Sequence, residues 1–244
     1  MNWKWTDRLA AGFVFAWALV LYVLTVAPTT SFWDSGEFIA SVYKLQVMHP
    51  PGAPFYMLMG RLFSMFVPAD LVALAVNMIS VLSSAGTVLL SHLIIVRLVR
   101  RWHGAPSTWS PEQRVVALSS GIIGALTFAA TDTFWFNAVE AEVYALSMFF
   151  TALVVYLAMR WADEAQAEEK LLSGGRHPFG LSANRYLVLI AYFFGLAIGV
   201  HLLNLLAVFF VALIIFFVEY DRSEWSSGQR FGYILLTGAT PSAV

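Results

Sequence analysis

The sequence predicts an all-α protein, a polytopic bundle of transmembrane helices. Of its 244 residues, 59% are hydrophobic and only 12% are charged, whereas a soluble domain averages about 25% charged residues. The mean hydropathy is +0.73, and the apolar residues form runs close to the roughly 20 residues that cross a bilayer as a helix. The net charge of -1 gives no argument for a nucleic-acid partner. Because the chain has no cysteine, disulfides and thiolate metal sites are excluded.

The apolar runs divide the chain into six spans and the start of a seventh. The first run is longer than the roughly 7–15 residues of a signal-peptide core, so we interpret it as a retained helix. A new apolar run begins near residue 231, and we therefore expect residues 1–244 to be a single transmembrane domain from the N-terminal part of a longer protein. The predicted spans are 9–27, 71–99, 115–130, 138–161, 186–200 and 202–218, with another starting at 231.

The long loop over residues 31–67 separates the first two spans. Residues 35–47 carry apolar side chains at helical spacing, which is typical of a short helix lying in the membrane interface. The following His49-Pro50-Pro51-Gly52 turn ends that helix, because proline lacks a backbone donor and restricts its neighbour. Residues 54–67 are apolar except for Arg61 and are too few to cross the bilayer. They predict a second interfacial or re-entrant helix.

The distribution of Lys and Arg predicts the orientation. If the N-terminus is cytoplasmic, all of the 14 basic residues except Lys44 and Arg61 fall on the inner side. We therefore expect a multi-pass protein of the cell (inner) membrane, with loop 31–67 facing the outside or periplasm. The turn at 131–137 and the join around His201 would face the same way.

Asp34 and Glu37 are the first candidate catalytic residues. They are three residues apart and would share one face of a helix, as a carboxylate pair in which one member removes a proton from an acceptor hydroxyl. The alternative is structural, because Asp34 suits an N-cap and Glu37 three residues later completes a capping-box pattern.

His49 and Arg61 are candidates for substrate binding in the same loop. His49 is either a substrate contact or an ordinary residue of a proline-rich turn. An arginine in an apolar helix is expected to pair with an anion, either Glu37 or a lipid phosphate. Snorkelling of Arg61 to the headgroups is the alternative.

Four polar residues open the fourth predicted span: Asn137, Glu140, Glu142 and Tyr144. On a continuous helix Glu140 and Tyr144 share a face, whereas Glu140 and Glu142 are about 200° apart and cannot both point into one cavity. First-turn acids that interact with the helix dipole are the alternative interpretation.

His201 and Asn204 share a face between the fifth and sixth predicted spans. They are candidates either for substrate contact or for interhelical hydrogen bonds. All the candidates lie near the outer ends of predicted helices, whereas a transporter more often places polar residues near the midplane. This distribution favours chemistry on a substrate that arrives from the outside or the outer leaflet.

Three stretches resemble the domain of unknown function 2723 family, which is related to the transmembrane-protein-260-like protein O-mannosyltransferases. They are SFWDSGEFIASVYKLQVMHPPGAPFYMLMGRLFS, NAVEAEVYALS and GLAIGVHLLNLL. The resemblance implies a GT-C-like fold, shared by multi-spanning glycosyltransferases that use lipid-phosphate-linked sugars. In these enzymes the first outer loop typically carries an acidic catalytic residue and then interfacial helices.

The resemblance also implies roles. Asp34 would be the catalytic base and Glu37 would support it or the acceptor. His49 would belong to the proline-containing turn, and Arg61 would face the donor phosphate. The substrate-binding set then comprises His49, Arg61, Asn137, Glu140, Glu142, Tyr144, His201 and Asn204.

The function that follows is an inverting glycosyltransferase. It would move a hexose, mannose by resemblance, from a polyprenyl-phosphate donor to a Ser or Thr hydroxyl of an exported protein. No metal or cofactor is assigned, although an acidic pair could also hold a divalent ion. The alternatives are a transporter or flippase for a lipid-linked substrate and a non-catalytic membrane anchor subunit.

Overall fold

The computed structural model describes residues 3–171 and 182–219, and in those ranges it consists of helices and connecting segments without a strand. The prediction of an all-α membrane bundle is confirmed. The described helices are α1 (Trp3–Thr25), α2 (Ser35–Lys44), α3 (Pro54–Ser64), α4 (Val72–His103), α5 (Pro111–Ala129), α6 (Asp132–Ala138), α7 (Val143–Leu171), α8 (Arg185–Ile198) and α9 (Leu206–Glu219).

Three apolar helical segments are long enough to cross a membrane, namely Trp3–Thr25, Ala69–His103 and Val143–Glu168. A fourth crossing results if α5 and α6, which bend by 70° at their junction, count as one span. Helices α8 and α9 have 14 residues each, fewer than the roughly 20 needed to cross alone. The seventh span predicted near residue 231 lies outside the described residues.

Helix α4 lies at the centre of the bundle and packs against α1, α5 and α7. Small residues allow this close packing, as is usual between membrane helices. A Cβ atom at Gly86 would lie 2.8 Å from the ring of Phe149 on α7, and one at Gly121 of α5 would lie 2.6 Å from Val96 on α4. The helices therefore approach to a distance that only glycine permits at these two positions.

Helices α2 and α3 form a hairpin that packs against the start of α4. Both helices occur where the sequence predicts the two short helices of the outer loop. Leu45 follows α2 with a left-handed φ of 54° and so ends the helix. Pro54 occupies the first turn of α3, where no backbone hydrogen bond is lost through its missing N–H. Phe38 and Val42 of α2 are buried against Tyr56 of α3.

The region around residues 131–142 differs from the prediction of a tight turn followed by a helix from residue 138. Residues Asp132–Ala138 form the short helix α6, and α7 begins only at Val143. The chain between them is not helical, and here the carbonyl of Val139 accepts a 2.8 Å hydrogen bond from the amide of Ala27, which follows α1. The tertiary bond with Ala27 replaces helical pairing at this point.

A second break separates α8 from α9. The amide of His201 donates to the carbonyl of Ala197, and Leu202–Leu205 then form a 3₁₀ turn before α9. The carbonyl of Gly199 accepts a 2.8 Å hydrogen bond from the Phe55 amide at the start of α3. The loop over residues 31–67 and the α8–α9 break are thereby held together.

Candidate active site

Asp34 immediately precedes α2 and its side chain makes no capping hydrogen bond. The capping-box alternative is therefore not the arrangement in the structure, and the carboxylate is exposed. The preceding Trp33 has a φ of 59°, which is strained for a bulky side chain. Such strain is characteristic of functional positions.

Glu37 binds His49 twice instead of capping α2. Its Oε1 accepts a 2.7 Å bond from the His49 amide, and its Oε2 lies 2.9 Å from His49 Nδ1. The bonds from His49 hold the pKa of Glu37 below its usual value, and the bond to Glu37 raises the pKa of His49. The imidazole is consequently held in one orientation and in a state that favours its positive charge.

A cavity of about 110 Å³ brings together candidates from three distant parts of the chain. Asp34 and His49 come from the loop over residues 31–67, Glu142 immediately precedes α7, Tyr144 lies in its first turn, and His201 belongs to the α8–α9 break. Apolar residues and the proline turn complete the walls, namely Phe38, Met48, Pro50, Pro51, Gly52, Ala53, Val143 and Val200.

Glu142 is the buried acid of this cavity, with 5% of its surface exposed. Burial raises the pKa of its carboxyl to about 7, with further contributions from the negative charges of Glu140 and Asp34. Glu140 is also buried, and burial raises its pKa against the opposing effect of a hydrogen bond with Ser31. The two acids therefore occupy different environments, and the angle expected from a continuous helix does not apply because α7 starts after both.

His201 and Tyr144 form the opposite wall, with ring centroids 5.2 Å apart. The Leu203 amide donates a 3.1 Å hydrogen bond to His201 Nδ1, so the proton of the neutral ring resides on Nε2. Burial lowers the pKa of His201. His201 is thus a neutral hydrogen-bond donor near pH 7, whereas His49 tends toward the charged form.

Five candidates do not line this cavity, namely Glu37, Arg61, Asn137, Glu140 and Asn204. Arg61 donates a 2.7 Å hydrogen bond to the carbonyl of Tyr43 near the end of α2 and stacks over its ring, a partner that was not anticipated. Asn137 donates to the carbonyl of Thr133.

Asn204 is buried and makes three hydrogen bonds. Its Oδ1 accepts from Thr151 of α7, and its Nδ2 donates to the carbonyls of Ala197 and His201. The structure thus shows the interhelical hydrogen-bonding role that the sequence left open for Asn204.

Tyr56 was not anticipated as part of this region. Its ring packs edge-on against Phe38 with centroids 5.6 Å apart, and it is fully buried. Its hydroxyl has no hydrogen-bond partner among the described residues. Burial raises the pKa of Tyr56, with a smaller contribution from the negative charge of Glu142. The only signal in the sequence is a tyrosine on the apolar face of α3, which a core residue would give equally.

Asp34, Glu37 and His49 also offer one ligand atom each within 4.8 Å of one another. Carboxylate and imidazole ligands suit several divalent cations. However, both oxygens of Glu37 and Nδ1 of His49 already bond to each other or to backbone, so a cation would have to displace these bonds.

Comparison with known proteins identifies the family. A family model described as the protein O-mannosyl-transferase TMEM260 N-terminal domain matches residues 34–224, most of the chain. The chain belongs to the TMEM260 N-terminal domain family. The matched range begins at Asp34 and contains every candidate residue.

Two TMEM260 relatives show the extent of the similarity. The mouse protein O-mannosyl-transferase TMEM260 is 28% identical over 181 residues, which cover 73% of this chain and 24% of the relative. The Dictyostelium discoideum protein O-mannosyl-transferase tmem260 is 24% identical over 140 residues, or 57% of this chain and 15% of the relative. The chain thus spans about a quarter or less of these relatives. No solved structure matches it.

Proposed function

We propose that the chain carries the catalytic face of a membrane glycosyltransferase, which moves mannose from a polyprenyl-phosphate donor to a Ser or Thr hydroxyl of an exported protein. The names of the TMEM260 relatives support the mannosyl transfer. The observation that carries the proposal is the position of Asp34. It is an exposed carboxylate without a capping bond, and it shares one cavity with Glu142, His49 and His201.

In the proposed step, Asp34 removes the proton of the acceptor hydroxyl as its oxygen attacks the anomeric carbon of the sugar. The bond from that carbon to the phosphate oxygen breaks, and the phosphate leaves with the electron pair. Attack from the opposite face inverts the anomeric configuration. Asp34 then releases its proton to solvent.

The leaving phosphate needs a positive or hydrogen-bonding partner. The resemblance assigns this task to Arg61, but Arg61 is bonded to Tyr43 and does not line the cavity. His49 is better placed, because Glu37 favours its charged form. His201 can donate from Nε2, since its Nδ1 is occupied.

The cavity volume limits what the described residues can enclose. Pockets that hold a complete small molecule usually measure about 300–1,000 Å³, whereas this cavity measures about 110 Å³. It therefore accommodates the reacting groups, and most of the donor and acceptor would lie outside it.

Two features favour an enzyme over the other candidate functions. The lining of this cavity shares no described residue with that of a larger cavity at the other end of the bundle. A continuous transport path would require the two cavities to connect. A membrane anchor without catalytic activity would not require Asp34, which makes no capping bond, to share a cavity with Glu142 and two histidines.

The test is transfer of radiolabelled mannose from polyprenyl-phosphate-mannose to membrane protein by the whole protein. Asp34→Asn keeps the shape but removes the base, and we expect transfer to fall roughly 10²–10⁴-fold. Asp70→Asn is the matched control, because Asp70 is an exposed acid that precedes α4 outside the cavity. Equal transfer by Asp34→Asn and wild type would exclude Asp34 as the base. Movement of the intact donor across vesicles without transfer would indicate a flippase.

A further inference from the structure

A second cavity, of about 930 Å³, lies at the opposite end of the bundle from Asp34. The start of α1, the C-terminal halves of α4 and α7 and the start of α5 surround it. Of its described lining residues Asp7 is the one acid, against six bases: Lys4, Arg8, Arg97, Arg100, Arg114 and Arg160. We call this the basic cavity.

Two described carboxylates lie behind the lining, and each pairs with two arginines. Asp163 is shared, since it accepts from Arg97 at 2.8 Å and from Arg101 at 3.1 Å. Glu164 likewise pairs with Arg160 at 2.7 Å and also with a further arginine outside the cavity. Each of these two carboxylates thus serves two guanidinium groups. The lining arginines Arg8, Arg97, Arg100 and Arg160 therefore keep an excess of positive charge over the described acids around them.

Arg100 provides a second, independent observation. Its Nε is buried and has no hydrogen-bond partner among the described residues. A buried donor without an acceptor costs about 1–3 kcal/mol. An oxygen of an anionic ligand in the cavity would satisfy it.

Along two of the helices that surround the cavity, α1 and α4, the lining changes from charged to apolar. On α1, Lys4 and Arg8 at the helix end are followed by Ala11 and Gly12. On α4, which approaches the same end from the membrane, Leu89 and Leu93 precede the arginines. At a rise of about 1.5 Å per residue, Leu93 and Leu89 of α4 lie roughly 10–16 Å deeper than Arg100. A charged rim above an apolar wall fits an amphiphile better than a free anion.

We propose that the basic cavity binds an anionic phospholipid, with its phosphate among the arginines and an acyl chain along Gly12 and Leu93. Basic pockets between membrane helices on the cytoplasmic side bind such headgroups, and this is the side that the Lys and Arg distribution predicts as cytoplasmic. Space for the chain exists beside Gly12, where an added Cβ atom would meet nothing within 4 Å.

The test measures lipid retention by the whole protein, extracted from nanodiscs that contain phosphatidylglycerol in phosphatidylcholine, using native mass spectrometry. We expect wild type to retain phosphatidylglycerol preferentially. Arg100→Gln should weaken retention roughly fivefold, as the removal of one interfacial cation predicts. Gly12→Leu should block the acyl chain without changing charge. The matched controls, Lys44→Gln and Gly195→Leu, alter a base and an unobstructed glycine that do not line the basic cavity.

A parallel arm adds inorganic phosphate to delipidated protein in detergent and measures its thermal stability. Stabilisation by phosphatidylglycerol alone supports the lipid. Equal stabilisation by inorganic phosphate, lost in Arg100→Gln but kept in Gly12→Leu, would assign the site to a soluble phosphate and overturn the lipid. No preference for phosphatidylglycerol in wild type, or unchanged retention in folded Arg100→Gln and Gly12→Leu, would overturn the proposal altogether.

Discussion

Replacing Asn204 by alanine should destabilise the protein by about 2 kcal/mol. The side chain is buried, with 1% of its surface exposed. It makes three hydrogen bonds, one to Thr151 at 2.9 Å, one to Ala197 at 3.0 Å and one to His201 at 2.8 Å. Side-chain hydrogen bonds in membrane proteins average about 0.6 kcal/mol each, and all three are lost in Asn204→Ala.

A double-mutant cycle isolates the bond that joins two helices. Thr151→Val keeps the side-chain shape and removes only the hydroxyl that donates to Asn204. We expect a coupling free energy of about 0.6 kcal/mol, with an upper bound near 1.7 kcal/mol. Unfolding in mixed micelles with increasing SDS, followed by tryptophan fluorescence, measures each free energy.

Asn137→Ala is the matched control, because Asn137 makes one local bond to Thr133 within α6. It should change the free energy of unfolding by no more than about 0.5 kcal/mol. If Asn204→Ala costs no more than Asn137→Ala, or if the cycle gives no coupling, Asn204 does not bind α7 and the reasoning is refuted.

The remaining predictions concern the candidate active site and the contact between α2 and α3. Burial raises the pKa of Glu142 from 4.5 to about 7, so its contribution to stability is present below pH 4.5 and lost as the pH rises through 7. Glu142→Gln should therefore remove the loss of stability between pH 4.5 and about 7, measured by thermal unfolding at a series of pH values. A dependence of stability on pH that the substitution leaves unchanged would contradict the assigned pKa. Glu37→Gln should lower the pKa of His49 toward its ordinary value, because Nδ1 loses its carboxylate partner; histidine NMR titration measures this, and an unmoved titration would remove Glu37 as the cause. Gly60→Ala should destabilise the protein by about 1–3 kcal/mol, because a Cβ atom there would lie 2.5 Å from Val42 of α2. Unfolding in SDS measures this change. An unchanged free energy of unfolding would mean that α2 and α3 can move apart without cost.

The sequence predicts the helices well, since apolar run length and proline positions act locally. The two short helices of the outer loop follow from periodicity and the proline turn, and α2 and α3 occur there. The break after α6 could not be predicted, because no glycine or proline marks it. At this break a hydrogen bond joins Val139 to Ala27, which are more than 100 positions apart in the sequence.

The sequence predicts which residues belong to the candidate site better than it predicts how they are arranged in space. The concentration of polar residues at predicted outer ends is reflected in the cavity of Asp34, His49, Glu142 and His201. Sequence spacing could not separate these from Asn204, whose partners are set by tertiary packing. The distribution of arginines in the sequence predicts an orientation, but only the folded bundle shows that several of them surround a cavity.

The hydrogen bond from Phe55 to Gly199 has a consequence for how substrates arrive. A Cβ atom at Gly199 would lie 3.0 Å from that of Phe55, so the two backbones are in direct contact beneath the wall that carries His201. This contact links the loop over residues 31–67 to the α8–α9 break, so a backbone hydrogen bond holds the two walls of the cavity together. In the proposed transfer, the acceptor hydroxyl would therefore enter between walls that are already joined, beside the exposed Tyr144.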